Sequence, residues 1–139
     1  MKLSAKGRTA VTAVADLAAQ GPGARVRLVE IAERQGLSRS FLEQVFSDLR
    51  RAGLVDSKRG PAGGYALTRA ADALSVSDII AAVEEDIRAT GCKPDVLRAC
   101  TGRSAKCMTH GLWGALEDHI GAFLSGVTVQ MVVDGEVSP

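Results

Sequence analysis

Aromatic residues are scarce in this 139-residue chain, which holds three Phe, one Trp and one Tyr. Its core must therefore be built from aliphatic side chains. No run of about 18 or more apolar residues occurs, which excludes a membrane-spanning helix. The first six residues, Met1-Lys2-Leu3-Ser4-Ala5-Lys6, lack the apolar stretch of a signal peptide, so the expected location is the cytoplasm. Cysteine is limited to three positions. In a reducing compartment so few thiols argue for metal or redox work over structural disulfides. Internal repeats and low-complexity segments are absent.

Hydrophobic residues make up 46% of the chain, enough for a packed core in one domain or one domain plus an oligomerisation element. The net charge of +1 conceals an asymmetry. Residues 1–69 carry 12 Lys/Arg against 6 Asp/Glu, whereas residues 70–139 carry 5 against 10. A basic half beside an acidic half points the first half toward a polyanion. Solvated faces clustered by chance are the bland alternative.

Apolar residues at Ala10, Val11, Val14, Leu17 and Ala18 predict a helix from Ser4 to about Gln20, ended by Gly21-Pro22-Gly23. An extended piece over Val26–Leu28 and a small helix to Gln35 follow, with Gly36 as its terminator. Ser38 or Ser40 caps a second amphipathic helix to about Ala52, with Phe41, Leu42, Val45, Phe46 and Leu49 inward. This is a helix-turn-helix layout. Leu54–Lys58 and Tyr65–Leu67 read as a hairpin around Arg59-Gly60-Pro61-Ala62-Gly63-Gly64, the wing of a winged helix. Ser75 or Ser77 caps a helix to about Glu85, with Asp78 in the reciprocal capping position. A last helix from about Met108 to Ser125 shows Trp113, Leu116, Ile120, Phe123 and Val127 at the alternating spacing of a coiled-coil seam. Such a seam suits a homodimer, although a helix packed on its own domain presents the same stripe.

Cys92, Cys100, Cys107 and His110 group just before and within the start of that helix. Thiolates and imidazole are ligands for soft and borderline metals. From the residues alone, zinc and an iron–sulfur cluster serve the set almost equally, and metal-free thiol sensing is a third reading. A thiol–imidazole catalytic pair of Cys107 and His110 lacks an orienting group and an oxyanion hole, so an enzyme is not expected.

Taken together, Leu3-Ser4-Ala5-Lys6-Gly7-Arg8, Ile31-Ala32-Glu33-Arg34-Gln35-Gly36-Leu37-Ser38, Phe41-Leu42-Glu43-Gln44-Val45-Phe46, Arg59-Gly60-Pro61-Ala62-Gly63-Gly64-Tyr65 and Cys107-Met108-Thr109-His110-Gly111-Leu112-Trp113 carry a resemblance. The chain resembles the IscR type of bacterial iron–sulfur regulator, in a winged-helix family that also contains NsrR, RirA and CymR. The resemblance implies a mainly α fold with a small β wing: a winged helix-turn-helix plus a long C-terminal dimerisation helix. It divides the chain into 1–70 for DNA binding, 71–90 as a connecting helix, 91–107 as a cluster-binding loop and 108–134 as the dimerisation helix and C-terminal segment. It implies a cytoplasmic homodimer that acts on promoter DNA as a repressor or activator, with cluster-assembly scaffold proteins as possible suppliers and no membrane partner.

The cofactor implied is a [2Fe–2S] cluster on Cys92, Cys100, Cys107 and His110. Seven residues separate the first two cysteines and six the next two, slightly more than in the usual IscR loop. A [4Fe–4S] sensor of the NsrR kind supplies a carboxylate where this chain has Arg8, which favours the [2Fe–2S] type. DNA-reading positions carried over are Ser40, Phe41, Glu43 and Gln44, with Arg59 and the Gly60-Pro61 backbone on the wing. Lys6, Arg8, Arg50 and Lys58, together with Lys2 and Arg51, are candidate phosphate contacts.

Overall fold

The computed structural model describes residues 3–84, 92 and 106–139. The elements run α1 (Ala5–Ala19), α2 (Leu28–Gln35), α3 (Arg39–Arg51), β1 (Val55–Lys58), β2 (Gly64–Leu67), a 3₁₀ turn (Ala71–Ala73), α4 (Val76–Val83), α5 (His110–Gly126) and α6 (Val129–Val133). This is the expected mainly helical fold with a two-stranded antiparallel wing.

Local chemistry sets the helix starts. Ser4 caps α1 by accepting from the Gly7 amide at 3.1 Å. Ser38, rather than Ser40, caps α3 by accepting from the Phe41 amide. Ser75 and Asp78 close a reciprocal capping box at α4, with both bonds at 3.0 Å. Gly36 ends α2 at φ 62°, a left-handed turn that glycine enters without a Cβ clash.

The core is aliphatic apart from Phe46. Ala10, Ala13, Val14 and Leu17 of α1 meet Ile31 of α2, Leu42, Val45, Phe46 and Leu49 of α3, and Ile79 of α4. Tyr65 of β2 meets the Phe46 ring edge-on at 4.8 Å between centroids, which fastens the wing to α3. β1 pairs with β2 from Val55↔Leu67 to Lys58↔Gly64.

Some boundaries differ from the sequence expectation. Of the extended piece at 26–28, only Val26 pairs, bridging Tyr65, and α2 already begins at Leu28. The last long helix begins at His110, because Met108 and Thr109 form a turn. Val127 lies beyond the end of α5 and is buried with Val76, Ile80 and Leu124, so it belongs to the protomer's own interior. The chain then turns into α6, whose Val129 is 1% exposed in the main core against α1. Two backbone bonds fix this return, Val76 N to Val127 O and Val129 N to Leu74 O, both 2.9 Å.

Candidate DNA interface and metal centre

Helix α3 buries Leu42, Val45, Phe46 and Leu49 and turns its other side outward. Ser40, Glu43, Gln44, Ser47 and Arg50 are exposed on that side, and Phe41 is half-buried against the core. Lys6 of α1 joins Ser40, Glu43, Gln44, Ser47, Asp48 and Arg51 around a shallow open depression. Glu43 meets Arg39 one turn earlier at 3.4 Å, with both side chains more than half exposed. Such a pair contributes little, so the Glu43 carboxylate is available to an incoming ligand. Ser40 hydrogen-bonds the Ser38 hydroxyl at 3.1 Å.

The basic residues divide into two groups. Lys6 and Arg51 both pair with Asp48, which lowers their net contribution to a positive face. Arg8, Arg50, Lys58 and Arg59 are exposed and form no ion pair among the described residues. Lys2 lies outside the described residues.

The wing tip is braced from an unexpected side. Arg27 Nη2 donates to the Pro61 carbonyl at 2.7 Å. Arg25 Nη1 donates to Asp56 Oδ1 at 2.8 Å and to the Gly64 carbonyl at 3.2 Å. Both arginines flank Val26, whose backbone exchanges bonds with Tyr65 at 2.9 and 2.7 Å. Alternate residues of an extended piece face the same way, so Arg25-Val26-Arg27 carried a usable signal that sequence reasoning passed over. Arg59, Gly60 and Pro61 are thereby presented as an exposed tip.

A second contact links the α1 start to the end of α4. The Ser4 hydroxyl donates to the Glu84 carboxylate. A Cβ at Gly7 would fall on that carboxylate, so a larger residue there would displace the Glu84 side chain from Ser4.

At the proposed metal centre, Cys92, Cys107 and His110 are half-buried, and Cys100 lies outside the described residues. No three metal-binding side chains converge among the described residues. Cys107 and His110 stand one turn apart at the foot of α5, where the His110 amide donates to the Cys107 carbonyl at 3.0 Å. Cys107 Sγ has the Thr109 hydroxyl at 3.6 Å. A thiol and an imidazole three residues apart in sequence have the donor chemistry that an iron–sulfur or zinc centre uses.

The exposed face of α5 continues from this foot. Leu112 is 59% exposed, Trp113 37% and Phe123 60%. Ile120 instead packs beside Val76 and Ile80 of α4. The stripe thus serves both the protomer's own core and an uncovered surface.

Residues 3–135 match the Rrf2 family, described as "Iron-dependent Transcriptional regulator". The chain is 47% identical over 138 residues to the HTH-type transcriptional regulator IscR of Aliivibrio salmonicida, covering 99% of this chain and 80% of that protein. Identity to IscR of Escherichia coli O1:K1 / APEC is 45% over 136 residues, covering 98% and 82%. Among solved structures, CymR of B. subtilis, the global cysteine regulator, superposes with a TM-score of 0.80 at 32% identity, covering 96% of this chain and 97% of that one. T. potens IscR gives a TM-score of 0.74 at 36% identity, covering 99% and 89%.

Proposed function

Because the chain belongs to the Rrf2 family of transcriptional regulators, which bind DNA and are not enzymes, we propose that it is a cytoplasmic homodimer that senses iron–sulfur cluster status and reads promoter DNA with cluster-dependent preference. The cofactor in this reading is a [2Fe–2S] cluster held by Cys92, Cys100, Cys107 and His110. The observation that carries it is the placement of Cys107 and His110 at the foot of the helix whose exposed face bears Leu112, Trp113 and Phe123. Ligand binding at that foot acts beside the subunit contact.

When bound, the cluster supplies a centre whose gain, loss or redox change carries the signal. The protein does the rest. Cys107 and His110 pin the start of α5, and α5 packs on α4, which packs on α1 and α3. The outward face of α3 enters the major groove, with Glu43 accepting from cytosine N4 and repelling phosphate. Arg59 enters the adjacent minor groove, where the negative potential is strongest. Arg8, Arg50 and Lys58 neutralise phosphates, with Lys6 held back by Asp48. Cluster-assembly scaffold proteins deliver the cofactor.

Anaerobic purification or reconstitution tests the reading. Two irons and two acid-labile sulfides per protomer, visible charge-transfer absorption and loss of all three in Cys107→Ser support it. Stoichiometric zinc without sulfide would replace it with a zinc-stapled regulator. DNA selection with loaded and stripped protein then tests the switch, and identical preferences would defeat the sensing role.

A further inference from the structure

Thr109 occupies the cap position of α5, yet its hydroxyl caps nothing. A threonine there ordinarily accepts from an amide of the first helical turn. Here the hydroxyl is turned to two side chains. Trp113 Nε1 lies 3.2 Å from Thr109 Oγ1, and Cys107 Sγ lies 3.6 Å from the same oxygen. The Trp113 amide also donates to the Thr109 carbonyl at 3.2 Å, which holds the two residues in register.

Proton bookkeeping fixes the direction of this chain. An indole N–H only donates, so Oγ1 accepts from Trp113. A hydroxyl has one proton, and a ligating cysteine is a thiolate with none. The hydroxyl proton is then directed to the sulfur. The order is indole N–H, hydroxyl, sulfur, and each donor polarises the next.

We propose that Thr109, oriented by Trp113, is the positioning residue that donates a hydrogen bond to the Cys107 thiolate and so sets the reduction potential of the centre. The inference rests on the metal-centre reading above. Withdrawing electron density from a ligand sulfur favours the reduced centre, because hydrogen bonds to cluster sulfurs are among the determinants of potential. Trp113 lies on the part-exposed face of α5. Its indole therefore joins the surface proposed for the subunit contact to one of the ligands, and burial of that face steadies the donor.

Three variants test this. Thr109→Val keeps the shape and removes the donor, Thr109→Ser keeps the donor, and Trp113→Phe keeps the ring and removes the indole N–H. In protein reconstituted anaerobically with iron and sulfide, Thr109→Val is expected to move the midpoint potential negative by a threefold to tenfold change in the reduction equilibrium, about 30–59 mV for one electron. Thr109→Ser stays near the parent value and Trp113→Phe falls between. Trp113 is the chain's single tryptophan, so its emission reports the first bond without any cluster. In cluster-free protein Thr109→Val shifts that emission and Thr109→Ser does not. Unchanged potential and emission in Thr109→Val, or an equal potential shift in Thr109→Ser, overturn the role of Thr109 while the cluster reading stands. Parent protein that takes up no iron and sulfide overturns both.

Discussion

Arg34 on α2 forks onto the buried carboxylate of Asp16 on α1, with contacts of 2.6, 3.0 and 3.2 Å, and Gln35 adds a bond at 2.8 Å. Asp16 is 7% exposed, and every other buried side chain of the described core is apolar. Burial alone would push its carboxyl up. The hydrogen bonds from Arg34 and Gln35 and the guanidinium charge outweigh burial and hold it below the usual carboxylate range.

The pH dependence of stability follows. A lowered folded value means that this stabilisation is fully present above the unfolded aspartate value of about 3.9. It is lost as pH falls through the lower folded value. Asp16→Asn should cost about 2 kcal/mol near neutral pH by urea unfolding. It should also flatten the acid limb, where the parent loses stability and the variant has none of this term to lose.

The Arg27–Pro61 bond predicts a DNA-binding defect without loss of fold. Arg27→Ala removes one bond to the wing, about 1 kcal/mol or roughly fivefold in affinity. Hydroxyl-radical footprinting should show weakened protection where the wing lies, with protection at the α3 contacts retained. Arg59→Ala should give the same pattern more strongly. Unchanged wing protection in both would remove the wing from the DNA interface.

Glu43 is held only by an exposed contact to Arg39. Glu43→Ala should therefore leave thermal stability within about 0.5 kcal/mol and relax discrimination among operators by about tenfold, the scale of one lost base contact. Competition binding on a panel of sites measures this. Preserved ranking of the sites would reject a base-reading role.

Gly64 marks where the wing meets Val26. Its φ is 134°, and a Cβ there would lie 2.6 Å from the Val26 carbonyl oxygen. Gly64→Ala should lose about 2–3 kcal/mol through backbone strain and displacement of that bridge. Gly36→Ala is the control, since it meets no atom within 4 Å and carries only the φ penalty at 62°. Thermal unfolding should rank Gly64→Ala well below Gly36→Ala.

The uncovered face of α5 predicts an association defect. Phe123→Glu puts a charge at a 60% exposed apolar position. In a homodimer joined through this face it shifts the mass in solution toward the monomer, read by analytical ultracentrifugation. A monomeric parent would end the dimer proposal.

Much of this architecture was legible because its causes are local. The caps at Ser4, Ser38 and Ser75 and the three-to-four spacing of Val45, Phe46 and Leu49 act within one or two turns. What escaped depends on distant partners. Helix α6 is five residues, too short for periodicity to speak, and exists because Thr128 caps it and Val129 finds the α1 core. The pairing of Lys6 with Asp48 and the reach of Arg27 to Pro61 join residues far apart in sequence. At the foot of α5, the residue types Cys and His raise the expectation of metal chemistry. The hydroxyl between Cys107 and Trp113 emerges only once the turn at Met108–Thr109 is formed.

The stapling of residues 74–76 to 127–129 gives α5 a fixed pivot at its C-terminal end. A helix of 17 residues is about 25 Å long. A tilt of about 5° around Val127 therefore carries the His110 end sideways by roughly 2 Å. Read in reverse, a displacement imposed at the His110 end would bear on α4, against which α5 packs, and on α6, which continues from Val127, and both of these helices pack against α1.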